Sequence, residues 1–402
     1  MKSILAVAHR RLLVRVLGGI AALTLFACGG GGGGIGDQAG VGTGGTGGAS
    51  PAAVSIGPIS GFGSVIVSGV RYDDTHAVVT DDEGNPRTRL DLRLGMVTEI
   101  SGSADFVARS GVASAIRYGS EVLGPVSAVS TAAGTVTVLG VVVNVKPSTA
   151  FDDSLAGLSA IHVGDTLEVY GFYNVSTGAY TATRIEPKPA ATRYKLRGPV
   201  AALDTAKKRF SIAGLVIDYS GLSAAQVPTL TNGAVVRASS ARAPAAGVWR
   251  VDSLGSGLRA SLAEGEAQVE GAIDSFSSAS RFSVDGVVVD ASAAAVSGTP
   301  APGLRVQVEG TVRGGVLIAK QVEVKDEATV ESEGFDLTDV IQSFDPLTLR
   351  FRLRGQLVDA SGTVSYEAGT RADLANGVRI ELKGVFDGAS GAVLARLIHF
   401  ER

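Results

Sequence analysis

One thiol occurs in 402 residues, and its setting says what it can do. Cys28 follows Lys2, Arg10, Arg11 and Arg15, an apolar stretch over residues 16–26 and Ala27, and it precedes six consecutive glycines. A basic start, an apolar core and a small-residue junction are the parts of an export leader. The sulfur is therefore placed for acylation, and with no second cysteine it forms no internal disulfide. Eleven apolar residues are too few for a membrane span, which needs about 20. Behind the leader the three histidines, His76, His162 and His399, stand far apart without metal-type spacing, whereas a zinc or copper site needs converging ligands. Asp81-Asp82-Glu83-Gly84-Asn85, near Asp73 and Asp74, and Asp152-Asp153 are the oxygen-rich clusters. Asp81, Asp82 and Glu83 are candidate calcium ligands, and the same residue types equally form a solvated hairpin loop. A nucleophile elbow, a Ser-x-x-Lys arrangement and a phosphate loop are absent. Gly40-Val41-Gly42-Thr43-Gly44-Gly45 spells a dinucleotide-binding pattern without the strand and helix that make it work. The expectation is a protein that is not an enzyme, with no catalytic residues, no resident metal and no cofactor.

The leader resembles a bacterial lipoprotein signal, with Phe26 bulkier than the residue usual at that place. The resemblance implies removal of residues 1–27 and lipidation of Cys28 by palmitate-like chains, which anchor stably when two or more are present. Gly29 stands where an aspartate would retain the protein at the inner membrane, so the same resemblance implies the outer membrane, facing the periplasm or the cell surface. Residues 29–50 hold 13 glycines, a composition that cannot repay the entropy of ordering. They read as a flexible tether with a typical span of about 25 Å. The whole chain carries a net charge of −3, and loss of the four basic leader residues makes the remainder more acidic. Nucleic acid, which is held by clustered Lys and Arg, is excluded as a partner.

Behind the tether one grammar is written five times. Each copy opens on an apolar alternation after a glycine: Gly57-Pro58-Ile59, Gly124-Pro125-Val126, Gly198-Pro199-Val200, Gly271-Ala272-Ile273 and a weaker Gly334-Phe335-Asp336-Leu337. A second glycine starts a short strand ending on Asp or Asn, as in Gly140-Val141-Val142-Val143-Asn144 and Gly286-Val287-Val288-Val289-Asp290. Then come glycines seven apart, Gly95 with Gly102, Gly164 with Gly171, Gly303 with Gly310 and Gly377 with Gly384, with Gly233 and Ser240 in the third copy. Apolar residues alternate between them at the period of a half-buried strand. Ile116, Ile185, Leu254 and Ile398 each follow the closing position by 14 residues, and Val322 follows by 12.

These recurring openings, the Gly-Val-Val-Val-Asp strand and the segment from Gly164 to Gly171 with Ala182 and Ile185 resemble the bacterial domain-of-unknown-function family 5666. The resemblance covers residues from about 53 to the end, is weakest in the third copy, and implies tandem β-rich domains without supplying an activity. Five short strands per copy, with the longest connection after the third, point to an all-β chain. It would hold five tandem small five-stranded antiparallel barrels, OB-like Greek keys, as beads on a string behind a disordered tether; a continuous stack is the alternative. The expected divisions are a signal peptide at 1–27, the lipidated tether at 28–52, and repeats at 53–119, 120–189, 190–259, 260–327 and 328–402.

No residue constellation names a ligand. The reading is a lipid-anchored envelope module that binds an unidentified envelope protein or polysaccharide, or acts as a scaffold. The alternatives are a stalk or spacer, a carbohydrate- or calcium-binding accessory protein, and an enzyme with an unrecognised site. Aromatic residues are 5% of the chain, with Trp249 the single tryptophan. Phe62, Tyr72, Phe106 and Tyr118 make the first copy comparatively aromatic, and most of them are expected in its core.

Overall fold

The computed structural model describes residues 52–257, 262–388 and 390–401. Cys28, the leader and the glycine-rich tether lie outside the described residues. Of the described residues nearly all regular structure is strand, with one short helix, α1, at Glu327–Glu333.

Unit 2 shows how the alternating sequence closes on itself. Its five main strands are Val122–Ser130, Thr135–Val138, Val141–Asn144, Thr166–Asn174 and Ala179–Pro187. The first pairs with the second and the second with the third, both antiparallel. The third runs parallel to the fifth, the fifth antiparallel to the fourth, and the fourth returns to the first. This ring leaves no edge. Inward positions carry Val136, Val138, Val143, Leu167, Val169 and Ile185, all buried, while the alternate positions face outward. A two-residue strand, Ala150–Phe151, lies parallel to the fifth and plugs the barrel with Phe151. Units 1, 4 and 5 close by the same order of pairings.

Two kinds of glycine explain the repeated marks. The turn joining the second and third strands has positive φ at both central residues, as at Leu139 (53°) and Gly140 (85°) or Asp285 (49°) and Gly286 (86°). That is the two-residue turn whose twist matches a hairpin. The closing glycine of each seven-residue pair sits at a bulge. Register slips between Ser101 and Gly102, Tyr170 and Gly171, Glu309 and Gly310, and Lys383 and Gly384. At Gly310 an added Cβ would collide with the Ile318 carbonyl oxygen and lie 2.8 Å from its carbon. One extra residue on the opposite strand is left over at each bulge, namely Ser114, Thr183, Lys320 and Arg396. The conserved offset places Ile116, Ile185, Val322 and Ile398 two residues past those extras, each in the core at 0% exposure.

Unit 3 departs from the rule at the position where the sequence does. Ser240, in place of the closing glycine, ends the fourth strand, and the fifth strand breaks into Val248–Arg250 and Ser253–Ser256. With the first strand also broken at Val200, the pairings keep the common order but divide between two sheets. Unit 5 corrects one reading of the opening motif. In units 1 to 4 the apolar residue of that motif, Ile59, Val126, Val200 or Ile273, accepts a backbone hydrogen bond from the glycine just before the fourth strand and donates one to the carbonyl of the residue after that glycine. Ile341 makes those bonds in unit 5, with Val378 and Gly377, so Asp339-Val340-Ile341 is the equivalent tripeptide. Gly334 instead caps α1 at φ 60°.

The expected string of beads is not what forms. Residues from 49 onward make one compact body. The first strand of unit 1, Ala52–Phe62, pairs in parallel with that of unit 4 from Ala53↔Glu266 to Ile56↔Val269. Farther along, it pairs with that of unit 5 at Gly61↔Asp336 and Phe62↔Leu337. The first strands of units 2 and 3 pair antiparallel at Val122↔Leu196 and Leu123↔Lys195. A barrel of roughly 65 residues buries too little of its surface to be robust alone, and these lateral pairings put its outer backbone groups to use.

Candidate binding crevice

The acidic runs do not gather into a metal site. Asp81 organises its own turn, accepting hydrogen bonds from the backbone N–H of Glu83 and Asn85 and from the side chains of Asn85 and Arg87. Burial raises its pKa, but these donors outweigh burial and hold the carboxyl below the usual aspartate value. Asp82 turns the other way, to Lys195 Nζ at 2.9 Å and Arg237 at 3.2 Å in unit 3. Burial is again outweighed, and its pKa is lowered. Glu83 points to solvent. Among the described residues no group of three His, Cys, Asp or Glu is disposed to hold a metal ion. His76 is exposed, His162 lies 3.9 Å from Asp165, and His399 lies 3.4 Å from Glu367 in unit 5.

The acids serve seams between units. Asp74 of unit 1 receives Arg354 of unit 5 at 3.1 Å, and that guanidinium stacks 4.5 Å from the Phe62 ring. Asp153 of unit 2 pairs with Arg352 of unit 5. At a third junction Arg197 of unit 3 is buried against Glu121 (3.0 Å) and Asp285 of unit 4 (2.7 Å), and also donates to the Gly257 carbonyl. Of the aromatic residues in unit 1, Phe62 and Tyr72 are in the core. Burial pushes the Tyr72 hydroxyl up to about 12, against a hydrogen bond with Ser55. Phe106 and Tyr118 are half-buried and face different hollows, so unit 1 presents no aromatic platform. Trp249 is fully buried and donates to the Arg242 carbonyl.

Lateral packing of the units encloses a crevice of about 540 Å³ between units 1, 2, 4 and 5, with α1 along one side. That volume suits a small ligand. Most of its charges are matched. Arg71, on the third strand of unit 1, reaches Asp336 at 2.5 Å and Glu381 at 3.3 Å. Arg305 reaches Glu270 at 2.6 Å, and Lys325 lies between Glu323 and Glu333. Two cations are left over. The guanidinia of Arg109, in the turn before the fifth strand of unit 1, and of Arg396 have no hydrogen-bond or ion-pair partner among the described residues. Arg396 is the extra residue at the unit 5 bulge, a device that re-aims a side chain. Asp336 Oδ1 is buried without a partner, and burial pushes its carboxyl above the usual aspartate value despite Arg71. A second, more open cleft of about 880 Å³ lies between units 1, 2 and 3, and Glu186, Lys188, Glu168, Lys195 and Asp82 along it are joined by salt bridges.

The repeats seen in the barrels are also found by comparison. Three of them match DUF5666, a domain of unknown function. The matched residues are 124–186, 270–323 and 340–399, which fall in units 2, 4 and 5. Each DUF5666 stretch runs across the whole ring, from the first strand to the fifth. Units 1 and 3 lie outside the matched stretches, although unit 1 closes by the same pairings. No curated protein matches the chain. Arg109 and Arg396 were not singled out from sequence. Arg396 had a usable signal, since it faces the bulge glycine Gly384, whereas Arg109 becomes notable only when four units meet.

Proposed function

We propose that this protein is a lipid-anchored, non-catalytic binding module of the bacterial envelope, attached through Cys28 and engaging its ligand in the crevice between its barrels. The observation that carries this reading is the compact body with a shared crevice. A stalk gains length by stringing units end to end, and here the first strand of unit 1 folds units 4 and 5 back against it. We further read all five units as variants of one OB-like barrel, unit 3 being the opened copy. The parallel pairing of third and fifth strands, with the long connection between third and fourth, supports that assignment. The leader and Gly29 support delivery to the outer membrane.

Small-angle scattering from residues 49–402 tests the central point. A single body of this size has a radius of gyration of about 20 Å, and a value near twice that would restore the spacer. The anchor is tested separately by feeding cells an alkyne-bearing palmitate analogue. Label should enter the wild-type protein and vanish with Cys28→Ala; an unlabelled wild-type protein would remove the anchor from the reading.

A further inference from the structure

We infer that the outer face of unit 3 is a docking surface for the anionic headgroups of the membrane to which the chain is tethered. This rests on the reading of Cys28 as a lipid anchor and adds how the anchored body sits. Charge is shared unevenly among the units. Residues 190–259 hold ten Lys and Arg against three acids, while each of the other four units holds more acids than bases. Three of the ten are spent on neighbours, Lys195 and Arg237 on Asp82 and Arg197 on Glu121 and Asp285. Three more are answered inside the unit, Arg193 by Asp252, Lys207 by Asp204 and Arg209 by Asp218. That uses every acid unit 3 has. Lys208, Arg242 and Arg250 are exposed, and their charged groups have no ion-pair or hydrogen-bond partner among the described residues. Arg259 lies outside the described residues.

Strand register gathers these cations. Arg209, Asp218 and Arg250 stand opposite one another on the second, third and fifth strands, so their side chains share one side of the sheet. The adjacent row, Phe210, Ile217 and Trp249, is buried, which puts the charged row on the outside. Lys207 and Lys208 occupy the turn into the second strand, where the Lys208 carbonyl accepts from the Tyr219 N–H. With Arg209 they form the one run of three Lys or Arg in the chain. Leu215, at the opposite end of these strands, lies against Gly140 of unit 2. Among the described residues no hydrogen bond or ion pair from residues 201–222 reaches another unit. Lys207, Lys208, Arg209 and Arg250 therefore face Asp204 and Asp218 alone, a local excess of positive charge that no neighbouring unit cancels.

So small an excess does not hold a nucleic-acid backbone, which takes many phosphate contacts. It suffices for a body already tied to a bilayer. Each Lys or Arg at an anionic surface improves binding about fivefold, and a tether spanning about 25 Å makes docking an event at an effective concentration in the millimolar range. The other four units, being acidic, are repelled by the same surface, so the asymmetry also sets which side turns to the membrane.

The single thiol and the single tryptophan supply the test. Residues 28–402 are coupled in vitro through Cys28 to a maleimide-bearing lipid in vesicles, which reproduces the tether whether or not cells lipidate it. Energy transfer from Trp249, next to Arg250, to dansyl-labelled headgroups reads how closely unit 3 approaches the bilayer. Transfer should be higher on phosphatidylcholine vesicles containing one third phosphatidylglycerol than on phosphatidylcholine alone, and high salt should remove the difference. Lys208→Gln and Arg250→Gln, both exposed positions, should each lower the docked-to-free ratio about fivefold without moving the melting temperature. Arg281→Gln, an exposed position of unit 4, should leave the ratio unchanged. The inference is overturned if transfer is equal on neutral and anionic vesicles, if the two unit 3 variants match wild type, or if Arg281→Gln lowers the ratio as much as they do. Transfer that grows with the number of chains per vesicle would also overturn it, since the basic face would then be meeting the acids of a second copy. Labelling of Cys28 by the palmitate analogue is independent of all these results, so loss of the docking face and loss of the anchor are separable.

Discussion

Replacing Gly310, on the inward face of the fourth strand of unit 4, with alanine should destabilise the protein. The added Cβ would clash with the carbonyl oxygen of Ile318 and lie 2.8 Å from its carbonyl carbon and 2.9 Å from Ala319 Cα. All three are backbone atoms, so no side chain can swing aside. Relief requires the fourth and fifth strands to part until those contacts reach the ordinary 3.4 Å or more. Overpacking of this kind costs about 1–3 kcal/mol, and stretching one ladder hydrogen bond adds about 1 kcal/mol. The stiffer unfolded chain returns about 0.4–1 kcal/mol. The net expectation is a loss of about 1–3.5 kcal/mol, measured by urea denaturation of residues 49–402 followed by far-ultraviolet circular dichroism. Gly362→Ala is the control, since its added Cβ meets nothing within 4 Å and its φ is not positive. It should stay within about 0.5 kcal/mol of wild type. If Gly310→Ala also stays within that margin, the steric account of the seven-residue glycine pair is wrong.

Two further outcomes follow from the seams. Glu121→Gln removes one of the two carboxylates facing the buried Arg197 and leaves Asp285 as its counter-charge, and should cost about 3 kcal/mol in the same denaturation assay; an unchanged midpoint would show that the junction carries no stability. For Asp82, burial raises the pKa and Lys195 and Arg237 more than reverse it, so its folded value lies below 3.8. Its contribution is therefore complete above the unfolded value and is lost as pH falls through the folded one. Wild type should lose melting temperature steeply below pH 3.8, and Asp82→Asn should start lower at neutral pH and fall less; parallel curves would refute the linkage.

The barrels were largely legible because their constraints are local. An inward valine every second residue, a two-residue turn ending in glycine and a glycine opposite a bulge all leave marks within a few positions. Ser240 shows how sharply such a mark reports, since the missing glycine coincides with the broken strand in unit 3. Unit 5 is hard to register from its residues for the converse reason: Asp339 stands where the other copies have glycine, and the nearby Gly334 serves a helix end instead. The crevice was not legible. Arg109 and Arg396 are 287 positions apart in the chain, and they share a cavity only because first strands pair across units. Those pairings use backbone groups, which every residue possesses, so composition carries no trace of them. Acidic loops were misleading in the same way, for Asp74, Asp82 and Asp153 satisfy cations supplied by distant repeats.

The lateral pairing of Ala53 with Glu266 has a consequence for how the protein is made. The ribosome adds about 5–20 residues per second, so the stretch between those partners occupies it for about 10–40 s. Throughout that interval the outer rim of the nascent first barrel presents a row of unanswered amides and carbonyls, an invitation to any passing extended peptide. A chaperone that keeps the chain unfolded until translation ends would remove the hazard. Chains cut short ahead of the fourth barrel would keep the adhesive rim for life.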